Sequence, residues 1–255
     1  MTAKESTDTI KIMLTGEGVT DYGWWDYAAS QWREGAAAKL IRSCAEKYGV
    51  RISFCFADRS EVNQLRLQGH IQGLKGKAIP AKRFQTYLKD RECHIGIFYC
   101  DADRESGAKN NEHQAKLRFR QIHDEIQSVT AGDSTCTEIV IPMIALRMIE
   151  SWLLSDVQAF EEVFGKQEVR KQNLSLPAKP EFLWGRESDP NSDYPKNLFV
   201  RICKKLNHDH APDKEAYAEI AENTDIDVLC RKCPISFRQF FNDFNSILST
   251  YGQKR

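Results

Sequence analysis

The stretch that most constrains this chain is His94–Glu105, HIGIFYCDADRE. An apolar block, Ile95-Gly96-Ile97-Phe98-Tyr99, stops at two carboxylates, Asp101 and Asp103. A short run of β-branched and aromatic residues ended by polar ones describes a strand buried on both faces. In an open α/β sheet, ligands sit beyond the carboxyl ends of the strands, where both acids fall. Two residues apart on an extended backbone, their side chains point the same way. Two like charges in one small volume repel, so one keeps its proton or a divalent cation sits between them. The plainer reading is that both acids open a surface loop and cap the next helix.

A second strand with the same ending favours the cation. Ile10-Lys11-Ile12-Met13-Leu14 runs into Thr15-Gly16-Glu17-Gly18-Val19-Thr20-Asp21. Glycines on both sides of Glu17 let the backbone turn sharply and approach a ligand closely. Glu17, Asp101 and Asp103 would then stand at one edge of one sheet.

The remaining elements alternate. Arg51–Phe56 alternates in polarity and reads as a strand, and Thr137–Pro142 reads as another. Asp21–Tyr48 reads as loop followed by helix, with Trp24, Trp25, Tyr27 and Trp32 on an apolar face. Those aromatics suit a core, and they also suit base stacking. Arg59–Arg91 is basic, with Arg66, His70, Lys75, Lys77, Lys82, Arg83 and Lys89 around glycines and Pro80. It reads as a loop between two helical pieces, either a solvated face or a phosphate-contacting segment. Helices are expected at 81–90 and 111–129. Met143–Asp156 is apolar at helical spacing and interrupted by Glu150. A carboxylate in such a setting costs free energy unless paired or metal-bound; a pairing with Arg147 is the structural alternative. Beyond a proline-containing polar loop at 166–196, helices are expected at 197–206, 213–223 and 237–251.

Strands alternating with helices argue for α/β: a mostly parallel, Rossmann-like sheet flanked by helices, with a helical C-terminal lobe. We divide the chain into a catalytic domain at 9–160 and a helical extension at 161–255 packed on it. The 36 basic and 36 acidic residues cancel, so a nucleic-acid surface has to be a local patch. A hydrophobic fraction of 41% suits a folded globule. No apolar run reaches the roughly 18 residues of a membrane span. The first residues lack an apolar signal core, so a cytoplasmic protein with reduced thiols is expected.

TGEGVTD after one strand and FYCDADRE after a later one resemble the Toprim fold of topoisomerases, bacterial primases and OLD-type nucleases. The resemblance implies Glu17 as catalytic glutamate and Asp101 and Asp103 as magnesium ligands. The chain is similar over most of its length to a Toprim-like family of about this size. Its shared segments are Glu17-Gly18, Asp101-Ala102-Asp103, Ile149-Glu150-Ser151-Trp152-Leu153-Leu154-Ser155-Asp156 and Cys233-Pro234-Ile235-Ser236-Phe237. The last carries one extra residue before Phe237. That family is often encoded beside ATPases in phage-defence loci, which implies a partner ATPase.

The chemistry expected is phosphodiester hydrolysis of DNA or RNA with Mg²⁺ or Mn²⁺. Catalytic candidates are Glu17, Asp101, Asp103 and Glu150; metal candidates are Glu17, Asp101, Asp103 and Glu105. Glu105 serves equally as a first-turn helix acid. A homo-oligomer is compatible with the sequence. The alternative from another class is a non-catalytic subunit of an ATPase complex that binds Mg²⁺ and a partner. A zinc site drawn from Cys203, His208, His210, Cys230 and Cys233 competes with core thiols and surface histidines; there is no second C-x-x-C. Gly73-Leu74-Lys75-Gly76-Lys77 lacks phosphate-loop spacing.

Overall fold

The computed structural model describes residues 9–67, 73–102, 112–131, 137–207 and 210–253. Asp103, Glu105, His70 and His208 lie outside the described residues.

Four strands form one parallel sheet. They are β1 (Ile10–Thr15), β4 (Ile52–Phe56), β5 (Ile95–Asp101) and β6 (Ile139–Ala145), in the order β4-β1-β5-β6. The chain is α/β, with its parallel sheet flanked by helices as the alternation of the sequence implies. Registers Ile12↔Ile95 and Ile95↔Ile139 align the three adjacent apolar blocks. Residue parity then divides the core. Leu14, Ile97, Tyr99 and Met143 share one cluster, whereas Met13, Phe98, Cys100 and Ile144 share the other.

The second face is covered by α4 (Ala78–Asp90) and α5 (Glu112–Ala131), through Phe84, Leu88, Ile122 and Ile126. Helix α4 comes so close to β5 that a Cβ on Gly96 would sit 2.5 Å from Leu88 and 2.6 Å from Phe84. The first face is covered by α2 (Ala36–Lys47), α6 (Ile149–Leu153) and α12 (Phe237–Gln253), through Leu40, Trp152 and Phe240. Between α6 and α12 come α7 (Val157–Phe164), α8 (Lys166–Lys171), a 3₁₀ turn at Pro180–Phe182, α9 (Pro195–Leu206), α10 (Lys214–Asn223) and α11 (Ile226–Lys232). Phe199, Ile220, Phe237 and Phe244 belong to the same apolar cluster as Ile12 and Leu14. The C-terminal helices therefore complete the sheet's core.

Three expectations need correction. Residues 23–34 form an antiparallel hairpin, β2 (Gly23–Asp26) with β3 (Gln31–Glu34), between the four-residue helix α1 (Val19–Tyr22) and α2. Trp24 is buried under Lys214, and Trp32 stacks on Phe56 at 4.6 Å, whereas Trp25 keeps 47% of its surface. Second, β6 runs through Pro142 to Ala145, and the helical turn starts only at Ile149. Pro142 lacks an amide hydrogen, but β6 is an edge strand, where one face of the ladder needs no donor. Third, the polar stretch 166–196 contains α8 and the 3₁₀ turn. Among the described residues, no helix is long and apolar enough to cross a membrane.

Candidate functional site

The chain leaves β1 toward β4 through α2. It returns past β1 to β5 through α3 (Arg59–Gln64) and α4. The strand order reverses between β1 and β5, and crevices at such reversals bind ligands in open α/β sheets. Glu17 follows β1, and Asp101 ends β5.

Two further carboxylates meet them there. Asp21, in α1, is 8% exposed and its Oδ2 accepts the backbone amides of Glu17 (3.1 Å) and Gly18 (2.9 Å). It holds the loop that carries Glu17. Glu150, at the start of α6, is 7% exposed, and its Oε1 accepts the Tyr217 hydroxyl of α10 at 3.0 Å. Arg147 lies over the Trp184 ring at 4.2 Å. The Oδ1 of Asp101 accepts the Tyr99 hydroxyl at 2.6 Å.

These acids feel one another. Burial pushes Asp21 up to about 7, with Glu150 and Glu17 adding to the rise against the Gly18 amide. Burial also holds Asp101 well above the ordinary carboxylate range, opposed by the Tyr99 hydroxyl and reinforced by Glu17, Asp21 and Glu150. Glu150 is raised by burial, opposed by Tyr217 and Lys196. Carboxyl groups sharing a dry space require a proton or a cation. Among the described residues, two cations of the basic stretch pair with the outermost acid. Glu17 Oε1 lies 2.9 Å from the Arg59 guanidinium and 3.5 Å from Lys77 Nζ.

Beside Glu17 opens a pocket of about 420 Å³ lined by Arg59, Asn63, Gly76, Lys77, Pro80, Arg83 and Arg118. Lys77 and Arg83 come from the basic stretch noted in the sequence; Arg118 comes from α5.

Glu17, Asp101 and Glu150 are thus brought to one rim, joined by Asp21. Asp103 and Glu105 lie outside the described residues. Among the described residues, no three His, Cys, Asp or Glu side chains are arranged to hold one metal ion. Glu17, Asp21, Asp101 and Glu150 offer hard oxygen donors, the last three with raised proton affinity, which fits a Mg²⁺- or Mn²⁺-type cation in chemistry but supplies only part of its coordination. Cys203, Cys230 and Cys233 are buried thiols of the main apolar cluster, each raised by burial, and behave as core residues.

Asp21 and Tyr217 were missed as site residues. The signal for Asp21 was an acid four residues after Glu17 in an otherwise uncharged turn. Tyr217 carried none, because only the packing of α10 brings it to α6.

A family model, Domain of unknown function (DUF4276), matches residues 33–245. The chain belongs to that family. The matched segment includes Asp101 and Glu150, while Glu17 and Asp21 precede it. No curated protein and no solved structure gives a significant match.

Proposed function

We propose that this chain is a metal-dependent nuclease that hydrolyses phosphodiester bonds of DNA or RNA at the rim between β1 and β5. The observation that carries this reading is the convergence of Glu17, Asp21, Asp101 and Glu150 at the strand-order reversal, with a cationic pocket alongside. Asp101 and Glu17 are the described side chains that would hold a divalent cation, with Asp103 the further ligand expected from the resemblance. Such an ion, when bound, polarises a phosphoryl oxygen and makes water a better nucleophile at neutral pH. Asp21 positions Glu17 by gripping the two amides of its loop. Tyr99 and Tyr217 orient Asp101 and Glu150 through their hydroxyls. Arg59 and Lys77 offset negative charge on the substrate. The Toprim resemblance extends the proposal to a cytoplasmic effector of anti-phage defence working with an ATPase.

The test is incubation of plasmid DNA, single-stranded DNA and tRNA with Mg²⁺, Mn²⁺ or EDTA, comparing wild type with Asp101→Asn. Divalent-dependent cleavage lost in the variant is expected. Equal cleavage by both proteins would sink the assignment. One observation favours a second reading, a partner-binding subunit without turnover: Glu17 is engaged by Arg59 and Lys77. Retention of Mg²⁺ without cleavage of any substrate, in the presence of a co-purifying ATPase, would favour it.

A further inference from the structure

We propose that the pocket between α3, α4 and α5 is a phosphate-binding site that seizes one phosphate of a nucleic-acid strand next to the carboxylate rim. The identity of the ligand rests on the nuclease reading; the anion site itself stands on its own geometry.

Four cationic side chains, Arg59, Lys77, Arg83 and Arg118, line a concavity of about 420 Å³. That volume lies within the range of ordinary small-molecule sites. Among the described residues no carboxylate lines it; Glu17 pairs with Arg59 and Lys77, and Glu125 accepts the Lys77 amide, so positive charge is in excess there. Lys77 is only 6% exposed, and among the described residues its ammonium finds no hydrogen-bond acceptor. Its charge partner is Glu17 at 3.5 Å. A buried ammonium carries three donors, and leaving them unused is costly. Among the same residues the buried Nε of Arg83 finds none either. Phosphate oxygens satisfy such donors at several points at once.

The wall that presents Lys77 is held in place before any ligand arrives. The Lys77 amide donates to Glu125 Oε2 at 2.7 Å. Gly76 adopts φ +53°, and a Cβ there would lie 2.2 Å from the same carboxylate. Any other residue at position 76 would both strain the backbone and displace Glu125. Helix α4, 13 residues long, begins immediately after Lys77, so its positive end adds to the cationic field.

The pocket also shares Arg59 and Lys77 with Glu17. A bound phosphate competes with Glu17 for both cations, so filling the pocket loosens Glu17 from its ion pairs. Two sources supply the same phosphate chemistry, a strand end or an internal backbone position.

The test is fluorescence anisotropy of the full chain in EDTA, with labelled single strands bearing either a 5′-phosphate or a 5′-hydroxyl, and with inorganic phosphate as competitor. Working without divalent ions separates the two readings: binding here with no cleavage elsewhere would fell the nuclease and spare the pocket. Arg83→Ala and Arg118→Ala are each expected to weaken binding about tenfold and to reduce the salt slope by about one. Glu17→Gln is expected to tighten binding several-fold, a gain that a merely structural role would not produce. Lys171→Ala, on exposed α8, is expected to bind as wild type. Preference for the 5′-phosphate would assign the pocket to strand ends; equal binding of both strands would assign it to the backbone. Wild-type affinity in both arginine variants, or equal weakening by Lys171→Ala, would overturn the proposal.

Discussion

Among the described residues, the acids at the rim and the acids behind Trp152 and Asp225 differ in the company they keep. Glu181, in the 3₁₀ turn, is fully buried. Its Oε1 accepts the Ile235 amide at 3.1 Å; its Oε2 accepts the Ser236 amide at 3.1 Å and the Ser236 hydroxyl at 2.9 Å. Trp152 Nε1 in turn donates to Ser236 Oγ at 2.9 Å, tying α6 to the start of α12. Asp156 is similar, capping α7 through the Gln158 amide and accepting the Asp225 amide, both at 3.0 Å. These are carboxylates bound by fixed donors. Asp21 also accepts two amides, yet Asp21 and Asp101 differ in that neighbouring carboxylates, Glu17 and Glu150 among them, add to the rise in their proton affinity. Burial raises the proton affinity of Glu181 as well, but no carboxylate contributes to that rise. The difference is therefore the company each acid keeps. Acids with fixed donors and no acidic neighbour build the fold, whereas acids facing acids await a proton or a cation.

The sharpest way to break this comparison is functional. Asp101→Asn should reduce divalent-dependent cleavage to the level of the EDTA control while leaving the thermal transition in place. Glu181→Gln should retain activity per folded molecule. If the two variants lose activity together, the acidic rim is scaffold like Glu181.

The next effect is in stability against pH. The folded value of Asp21, about 7, exceeds its ordinary value of 3.8, so the folded chain binds the proton more tightly than the unfolded one. Below pH ~4 both states are protonated and no cost arises. As pH rises from there through 7, the fold loses stability, by up to about 4 kcal/mol from this group. Urea titrations of metal-free protein at pH 5 and pH 8 should show the loss, and Asp21→Asn should flatten it. Millimolar Mn²⁺ should restore stability at pH 8 in wild type if the rim takes a cation. A metal-free protein equally stable at both pH values would contradict the crowding of these acids.

Glu181→Ala should cost about 3 kcal/mol at pH 5, because two backbone amides and a hydroxyl lose their acceptor in a dry site, and less at pH 8, because burial raises the proton affinity of Glu181. A chain of this size would lose roughly 6–12 °C in Tm. A loss that turns into a gain by pH 8 would place Glu181 with the rim. The smallest effect belongs to Tyr217→Phe, which removes one hydroxyl from Glu150. About 1 kcal/mol of stability is expected to go, with a rise in the apparent pKa of any rate that depends on the rim.

Much of this was legible before any coordinates. Strands β1 and β5 announce themselves because a strand buried on both faces admits few residue types, and its polar ending marks the rim; β4, at the sheet edge, shows by its alternation in polarity. Glu17 and Asp101 were visible for the same reason. Glu150 stood out as an acid inside an apolar run. The hairpin at 23–34 did not, because its turn over Tyr27–Ser30 lacks the usual glycine pair and places Ser30 at φ +49°. The extension of β6 was hidden by Pro142, which reads as a strand ending unless the strand is known to lie at an edge.

The sequence by itself determined the α/β class, the flanking helices and three of the acids at the rim, Glu17, Asp101 and Glu150, since these depend on local periodicity and on how a short segment ends. Only the tertiary structure decided which acids meet. Glu17 and Glu150 are 133 residues apart, and Glu150 and Tyr217 are 67 apart. Their meeting depends on strand order and on where α10 packs. The same holds for Arg118, which α5 carries beside Arg59 and Lys77. The sign of each acid's proton affinity follows from that assembly, because burial and neighbouring charge are properties of the folded rim and of no single segment.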